Sequence, residues 1–288
     1  MLRVCVFGSG GWGTALAQLC AVRGYRVTQW VREPEVLESI NEQHLNPLFL
    51  ADVPLSPGIV ATRDEREALD GADLVLLVTP SQFMREVVLR IRYLLPAEAP
   101  IVCCSKGIEK ESLELMSEIL TGELPGKYHP YLTYLSGPSF AREVAEGKPA
   151  NVTVAGQSES VRKSVQEWMG GSSFRIYTSA DVVGVQVGGA VKNVLAIAVG
   201  ACDAMGFGLN AQASLITRGL AEITRLAVAK GANPLTLSGH AGIGDLVLTC
   251  TGSLSRNRRV GYALGSGQSL ESIVNSMKMV AEGVETAH

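Results

Sequence analysis

The chain has 288 residues, a net charge of −3, and 47% hydrophobic against 18% charged residues. That length suggests two domains, and that apolar content excludes a disordered chain. With no basic excess, general nucleic-acid binding is disfavoured, and 6% aromatic content disfavours a stacking platform for single strands. The 31 glycines follow no three-residue period, which excludes a collagen-type fibre. Cys5, Cys20, Cys103, Cys104, Cys202 and Cys250 form no C-x-x-C pair, and most sit in apolar stretches. They read as small buried hydrophobes of a reducing, cytoplasmic protein. His44, His129, His240 and His288 lack metal-ligand spacing. The N-terminus runs directly into a strand-like segment and shows no secretory signal.

In chain order, the first half alternates short apolar strands with helices. Leu2–Phe7 reads as a strand, then come glycines and a helix over Thr14–Arg23, closed by Gly24 at the position of a C-terminal cap. Arg26–Val31 is a second strand and Glu35–Asn41 a helix. Leu74–Val78 and Ile101–Cys104 are strands flanking a helix over Phe83–Leu95. Tyr131–Leu135 ends at Ser136-Gly137-Pro138-Ser139. Asn151–Ala155 and Arg175–Thr178 flank a helix over Glu159–Met169. This alternation predicts a parallel, doubly wound sheet.

Beyond about residue 180 the strand signals stop. Val182–Met205, Ala211–Lys230 and Ser269–Met279 read as helices, which places a domain boundary near 180 with no linker composition between the halves. Val182–Cys202 is long enough to span a bilayer. Gln186, Lys192, Asn193 and four glycines within it favour a buried helix of a soluble protein instead.

Gly8-Ser9-Gly10-Gly11-Trp12-Gly13 fits G-x-G-x-x-G between a strand and a helix, the context that makes this pattern a dinucleotide loop. Gly8 permits the tight turn, Gly10 lets a pyrophosphate approach the backbone, and Gly13 allows close helix–strand packing. The helix start then offers free N–H groups to phosphate. About 20 residues on, where nucleotide preference is read, stand Arg32 and Glu33. Arginine suits the 2′-phosphate of NADP and an acid the ribose hydroxyls of NAD. The pair reads both ways, with NADP(H) favoured and NAD(H) open.

Lys192 is the single charge in its apolar run. Burial disfavours an ammonium, so it is either a tuned general acid/base or a structurally paired lysine. A second polar concentration, Gly242-Ile243-Gly244-Asp245-Leu246 followed by Ser255-Arg256-Asn257-Arg258-Arg259, suits an anionic group, or else forms a solvated basic loop.

Together with Ser136-Gly137-Pro138-Ser139-Phe140-Ala141 and Gly189-Ala190-Val191-Lys192-Asn193-Val194, these blocks resemble the bacterial-type NAD(P)-dependent glycerol-3-phosphate dehydrogenases. The resemblance covers essentially the whole chain. It implies an α/β Rossmann-type N-terminal domain over 1–180 and an all-α substrate-binding and catalytic domain over 181–288. It further implies reversible reduction of dihydroxyacetone phosphate to sn-glycerol 3-phosphate for glycerophospholipid synthesis, by a homodimer that binds no nucleic acid and has no membrane span. Lys192 matches the family's proton-transfer lysine, and Lys106 a residue touching substrate and cofactor. Gly137, Ser139, Asp245, Ser255, Arg256 and Asn257 match substrate contacts. Gly8, Gly10, Gly11, Trp12, Gly13, Arg32, Ala141, Arg256, Val280 and Glu282 match cofactor contacts.

Two departures stand out. Gly11 occupies a position where the family usually has serine. Family members also usually continue past the equivalent of His288 with a further helical segment, so a truncated helical domain is the expectation.

Overall fold

The computed structural model describes residues 1–277 and 280–287. β1 (Arg3–Phe7) shows how the core is built. Val4 and Val6 enter a cluster on one face of the sheet, and Cys5 and Phe7 a cluster on the other, all four buried. β4 (Leu74–Leu77) repeats the division: Leu74 and Leu76 on one face, Val75 and Leu77 on the other. A period-two strand that is apolar at every position must be covered on both faces. The cover comes from α1 (Gly11–Val22) on one side and α4 (Met84–Ile91) with α5 (Met116–Glu123) on the other.

The remaining first-half elements are β2 (Arg26–Trp30), α2 (Pro34–Gln43), β3 (Ile59–Thr62), α3 (Glu65–Leu69), β5 (Ile101–Cys103), β6 (Leu132–Ser136), α6 (Ala141–Ala145), β7 (Ala150–Gly156), α7 (Glu159–Met169) and β8 (Phe174–Ser179). The eight strands lie in the order β3-β2-β1-β4-β5-β6-β7-β8. The doubly wound plan is as expected, with one difference: β7 runs antiparallel to β6. The cause is α6, which packs on α1 beside the glycine turn rather than crossing the sheet, so the chain re-enters from the edge it left. β3, four residues between turn residues, and α3 carry too few positions for a period to register. α3 instead depends on its cap: Asp64 accepts hydrogen bonds from the N–H groups of Arg66 (2.8 Å) and Glu67 (3.1 Å). α1 begins at Gly11, three residues before the expected Thr14. Gly24, at φ +85°, ends it as expected.

The second half holds α8 (Val182–Ala204), α9 (Gly208–Ala229), α10 (Asp245–Thr251), α11 (Arg256–Gly265), α12 (Leu270–Ser276) and α13 (Glu282–Thr286). No strand follows Ser179 among the described residues. α12 is shorter than the expected Ser269–Met279 helix: Met277 is already extended, and Met279, like His288, lies outside the described residues. α8 is the axis on which α9, α10 and α11 pack. Its glycines make that possible. A Cβ on Gly200 would strike the Arg258 carbonyl of α11, and one on Gly261 of α11 would strike the Ile197 carbonyl of α8. Among the described residues α8 alone is long and apolar enough to cross a membrane, but 61% of its most apolar stretch is buried, so it is a core helix.

Candidate functional site

The carboxyl ends of β1, β4, β5 and β6 form one edge of the sheet, and the functional candidates gather there. Strand order reverses between β1 and β4, the switch point at which doubly wound sheets bind ligands. Gly8 follows β1 at φ +139°, and a Cβ there would lie 2.5 Å from the Val78 carbonyl oxygen just beyond β4. A Cβ on Gly13 would run into the Gly8 carbonyl. Both positions therefore need glycine for packing. Gly10 differs: a Cβ there would meet nothing within 4 Å, so the space in front of the α1 N-terminus is open. The first-turn N–H groups of α1 face that space without intrahelical acceptors. Beside them, the buried Trp12 Nε1 has no partner among the described residues. This open, N–H-lined cradle fits a dinucleotide pyrophosphate.

Two contacts around the cradle were not legible in the motif. Asn46 donates to the Ser9 carbonyl and the Thr14 hydroxyl, 2.8 Å each, which fixes the turn from the α2–β3 connection. Next to it the Phe49 carbonyl lies 2.6 Å from where a Cβ on Gly11 would be. Gly11 thus stands under a backbone oxygen, and a serine here would push that segment away. Ala141 borders the same place, its Cβ 3.9 Å from that point. Ser9 donates to Glu33 Oε2 at 2.7 Å, while Arg32, its side chain 75% exposed, pairs with Glu33 Oε1 at 3.0 Å. The acid faces the glycine turn and the arginine stands at its rim.

The polar centre lies between the sheet edge and the helical half. Lys192 on α8 donates to Asp245 Oδ1 (2.7 Å) and Thr249 Oγ1 (2.7 Å). Lys106, in the loop after β5, donates to Asp245 Oδ2 (2.8 Å) and the Gly137 carbonyl (2.9 Å). One carboxylate therefore bridges two ammonium groups. Asp245 is 1% and Lys192 5% exposed. Burial pushes Lys192 down to about 8; Asp245 opposes that shift and the charge on Lys106 adds to it. Gly137 holds φ +144°, and a Cβ there would lie 2.8 Å from Val152 Cα, so this turn too requires glycine. Ser139 donates to the Gly137 carbonyl at 3.0 Å. Thr249 was missed from the sequence. It lies one turn after Asp245 on α10, and the i,i+4 spacing was its one available signal.

Ser255–Arg259 forms the start of α11 and not a solvated loop. Ser255 caps that helix, accepting from the Arg258 N–H at 3.2 Å. Arg258 turns away to pair with Asp203 on α8, so it is removed from the expected basic cluster. Arg256 donates to the Val280 carbonyl at 2.6 Å. Burial lowers its guanidinium pKa, and the nearby Glu282 opposes this. Asn257 is buried; its amide donates to Asn193 Oδ1 (3.0 Å) and accepts from the Gly283 N–H (3.0 Å). Glu282 accepts from the Ser81 N–H (3.1 Å) and hydroxyl, tying α13 to the end of β4, and burial raises its carboxyl pKa. The structure thus brings Lys106, Lys192 and Asp245 into one hydrogen-bonded centre. Arg256, Asn257, Val280 and Glu282 form a second group beside it, while Arg32 stands apart at the far end of the glycine turn.

A doubly wound sheet with an open glycine cradle at its switch point, sharing a lysine–carboxylate–lysine centre with a helical half, defines a dinucleotide-binding protein equipped for proton transfer. The family model described as the NAD-dependent glycerol-3-phosphate dehydrogenase N-terminus matches residues 3–162, and the corresponding C-terminus model matches 181–288. Glycerol-3-phosphate dehydrogenase (NAD(P)+) of Myxococcus xanthus is 56% identical over 286 residues, covering 99% of this chain and 85% of that protein. The enzyme of the same description from Anaeromyxobacter sp. is 53% identical, with 99% and 86% covered. Among solved structures, glycerol-3-phosphate dehydrogenase of Coxiella burnetii superposes with a TM-score of 0.93 at 37% identity, covering 99% of this chain and 86% of that one. The chain belongs to the bacterial-type NAD(P)-dependent glycerol-3-phosphate dehydrogenase family.

Proposed function

We infer that this protein catalyses reversible hydride transfer between a nicotinamide dinucleotide and a three-carbon phosphate, reducing dihydroxyacetone phosphate to sn-glycerol 3-phosphate. The observation that carries the reading is the Lys192–Asp245–Lys106 centre, placed where the carboxyl ends of β5 and β6 meet α8. The bound nicotinamide supplies the hydride for C2. Gly8, Gly10, Gly11, Trp12 and Gly13 hold the dinucleotide with Ala141 alongside, and Val280 and Glu282 contribute from the helical side. Lys192 gives its proton to the C2 oxygen as the carbonyl becomes an alkoxide, and takes it back in the reverse direction. A pKa near 8 suits it to both directions at neutral pH. Lys106 keeps positive charge beside that oxygen, and Asp245 holds both ammonium groups in register. Gly137, Ser139, Ser255, Arg256 and Asn257 take the substrate, with Arg256 nearest in chemistry to the phosphate.

We assign residues 1–180 to a Rossmann-type dinucleotide-binding domain and 181–288 to a helical substrate-binding and catalytic domain, each lending a few residues to the other's ligand. NADP(H) is the preferred carrier, because Arg32 is exposed at the rim and able to swing onto a 2′-phosphate; NAD(H) use is supported by Glu33 facing the turn. We place the enzyme in the cytoplasm as a homodimer feeding glycerophospholipid synthesis. The test is NADPH oxidation with dihydroxyacetone phosphate. Lys192→Ala should lower the rate about 10²–10⁴-fold with cofactor binding retained. Near-normal turnover in that variant refutes the assignment.

A further inference from the structure

Beside Lys106 lies a small, partly open cavity of about 10 Å³, bordered by Lys106, Gly107, Ser136 and Gln186. It has room for a single water. Ser136, the last residue of β6, is 4% exposed, and its hydroxyl has no protein partner among the described residues. A buried hydroxyl is seldom left unpaired in a folded protein. Its position is determined by Gly189 of α8. A Cβ on Gly189 would stand 2.5 Å from Ser136 Oγ and 3.5 Å from Lys106 Cδ, so the missing side chain is what lets hydroxyl and lysine stem share this corner. The Lys106 ammonium has three N–H donors and spends two, on Asp245 and the Gly137 carbonyl.

We propose that Ser136 is a positioning residue for Lys106, acting through one water held in this cavity between its hydroxyl and the third ammonium N–H. The inference rests on the catalytic reading of Lys106 given above. Ser136 sits in the buried corner beside the lysine stem, and Gly189 keeps the place open one turn before Lys192. Among the described residues the charged groups facing Lys106 are Asp245 and, through it, Lys192, with Glu282 against the neighbouring Gly107; Cys103 and Tyr134 also border the cavity.

The test pairs a high-resolution crystal structure of the wild type with kinetics of Ser136→Ala and Gly189→Ala. The expected structure holds one ordered water within hydrogen-bond reach of both Ser136 Oγ and Lys106 Nζ. Each variant should fold with unchanged secondary structure. Each should lose about tenfold in kcat, with the alkaline limb of its kcat–pH profile displaced to higher pH, because a loosened Lys106 depresses Lys192 less. An active wild type with an unchanged Ser136→Ala profile overturns the positioning role. A Ser136 hydroxyl bonded to a backbone carbonyl, with no water present, overturns it whatever the activity. If the wild type holds the water but fails to oxidise NADPH with dihydroxyacetone phosphate, the dehydrogenase reading falls while the placement of Lys106 is supported.

Discussion

Replacing Asp245 with asparagine removes the one negative charge between the buried Lys192 ammonium and the partly buried Lys106 ammonium, each of which approaches it within 2.8 Å. Breaking a buried ion pair from one side costs roughly 3–5 kcal/mol, because the partner charge is stranded. Here two are stranded, but Lys192 can shed its proton, which places the cost near the lower figure. At roughly 2–4 °C per kcal/mol, the melting temperature should fall by about 6–12 °C. Lys192→Met is the control. It leaves Asp245 paired with Lys106, so no charge is stranded, and it should cost on the order of 1 kcal/mol. The deficit of Asp245→Asn should widen as pH falls below 8. The wild-type Lys192 is already protonated there, whereas the variant must stay neutral against an increasingly protonated unfolded chain. Thermal and denaturant unfolding between pH 6 and 9 reads this directly. An Asp245→Asn protein as stable as Lys192→Met across that range would show that the carboxylate is not what neutralises the pair.

The depressed Lys192 has a linkage of its own. Because its folded value of about 8 lies below the ordinary 10.5, the folded chain binds fewer protons between those limits, and its contribution to stability rises through that window. The full effect is about 3 kcal/mol, and Lys192→Met should lack it. Cys5, Cys20, Cys103 and Cys250 act oppositely above pH 9, since burial raises their thiols, so the quantity to measure is the difference between wild type and variant. Gly10→Ala and Gly13→Ala should separate binding from folding. The first fills open space and should raise the Kd for NADPH at unchanged melting temperature; the second drives a methyl into the Gly8 carbonyl and should lower the melting temperature. Equal behaviour would contradict the cradle. Arg32→Ala should raise the KM for NADPH more than that for NADH, and equal effects would remove the 2′-phosphate contact.

Local pattern carried a large part of this protein. A strand that is apolar at every position has two covered faces whatever surrounds it, and a glycine triplet between such a strand and a helix has few uses besides a phosphate turn. Lys192 was conspicuous because one charge in an apolar helix has to be paired or tuned. Contacts between distant segments were decided only in three dimensions. Thr249, Ser136 and Asn46 are ordinary polar residues in the sequence, and become informative because α8, α10 and the sheet edge place them against a lysine, a glycine and a turn. The antiparallel β7 follows from where α6 docks, which no strand's own residues encode. Arg258 looked equivalent to Arg256, yet helical geometry turns it towards Asp203. The sequence supplied residue types and their periods. Which groups share a hydrogen bond across 139 positions, as Lys106 and Asp245 do, depends on how the two halves pack.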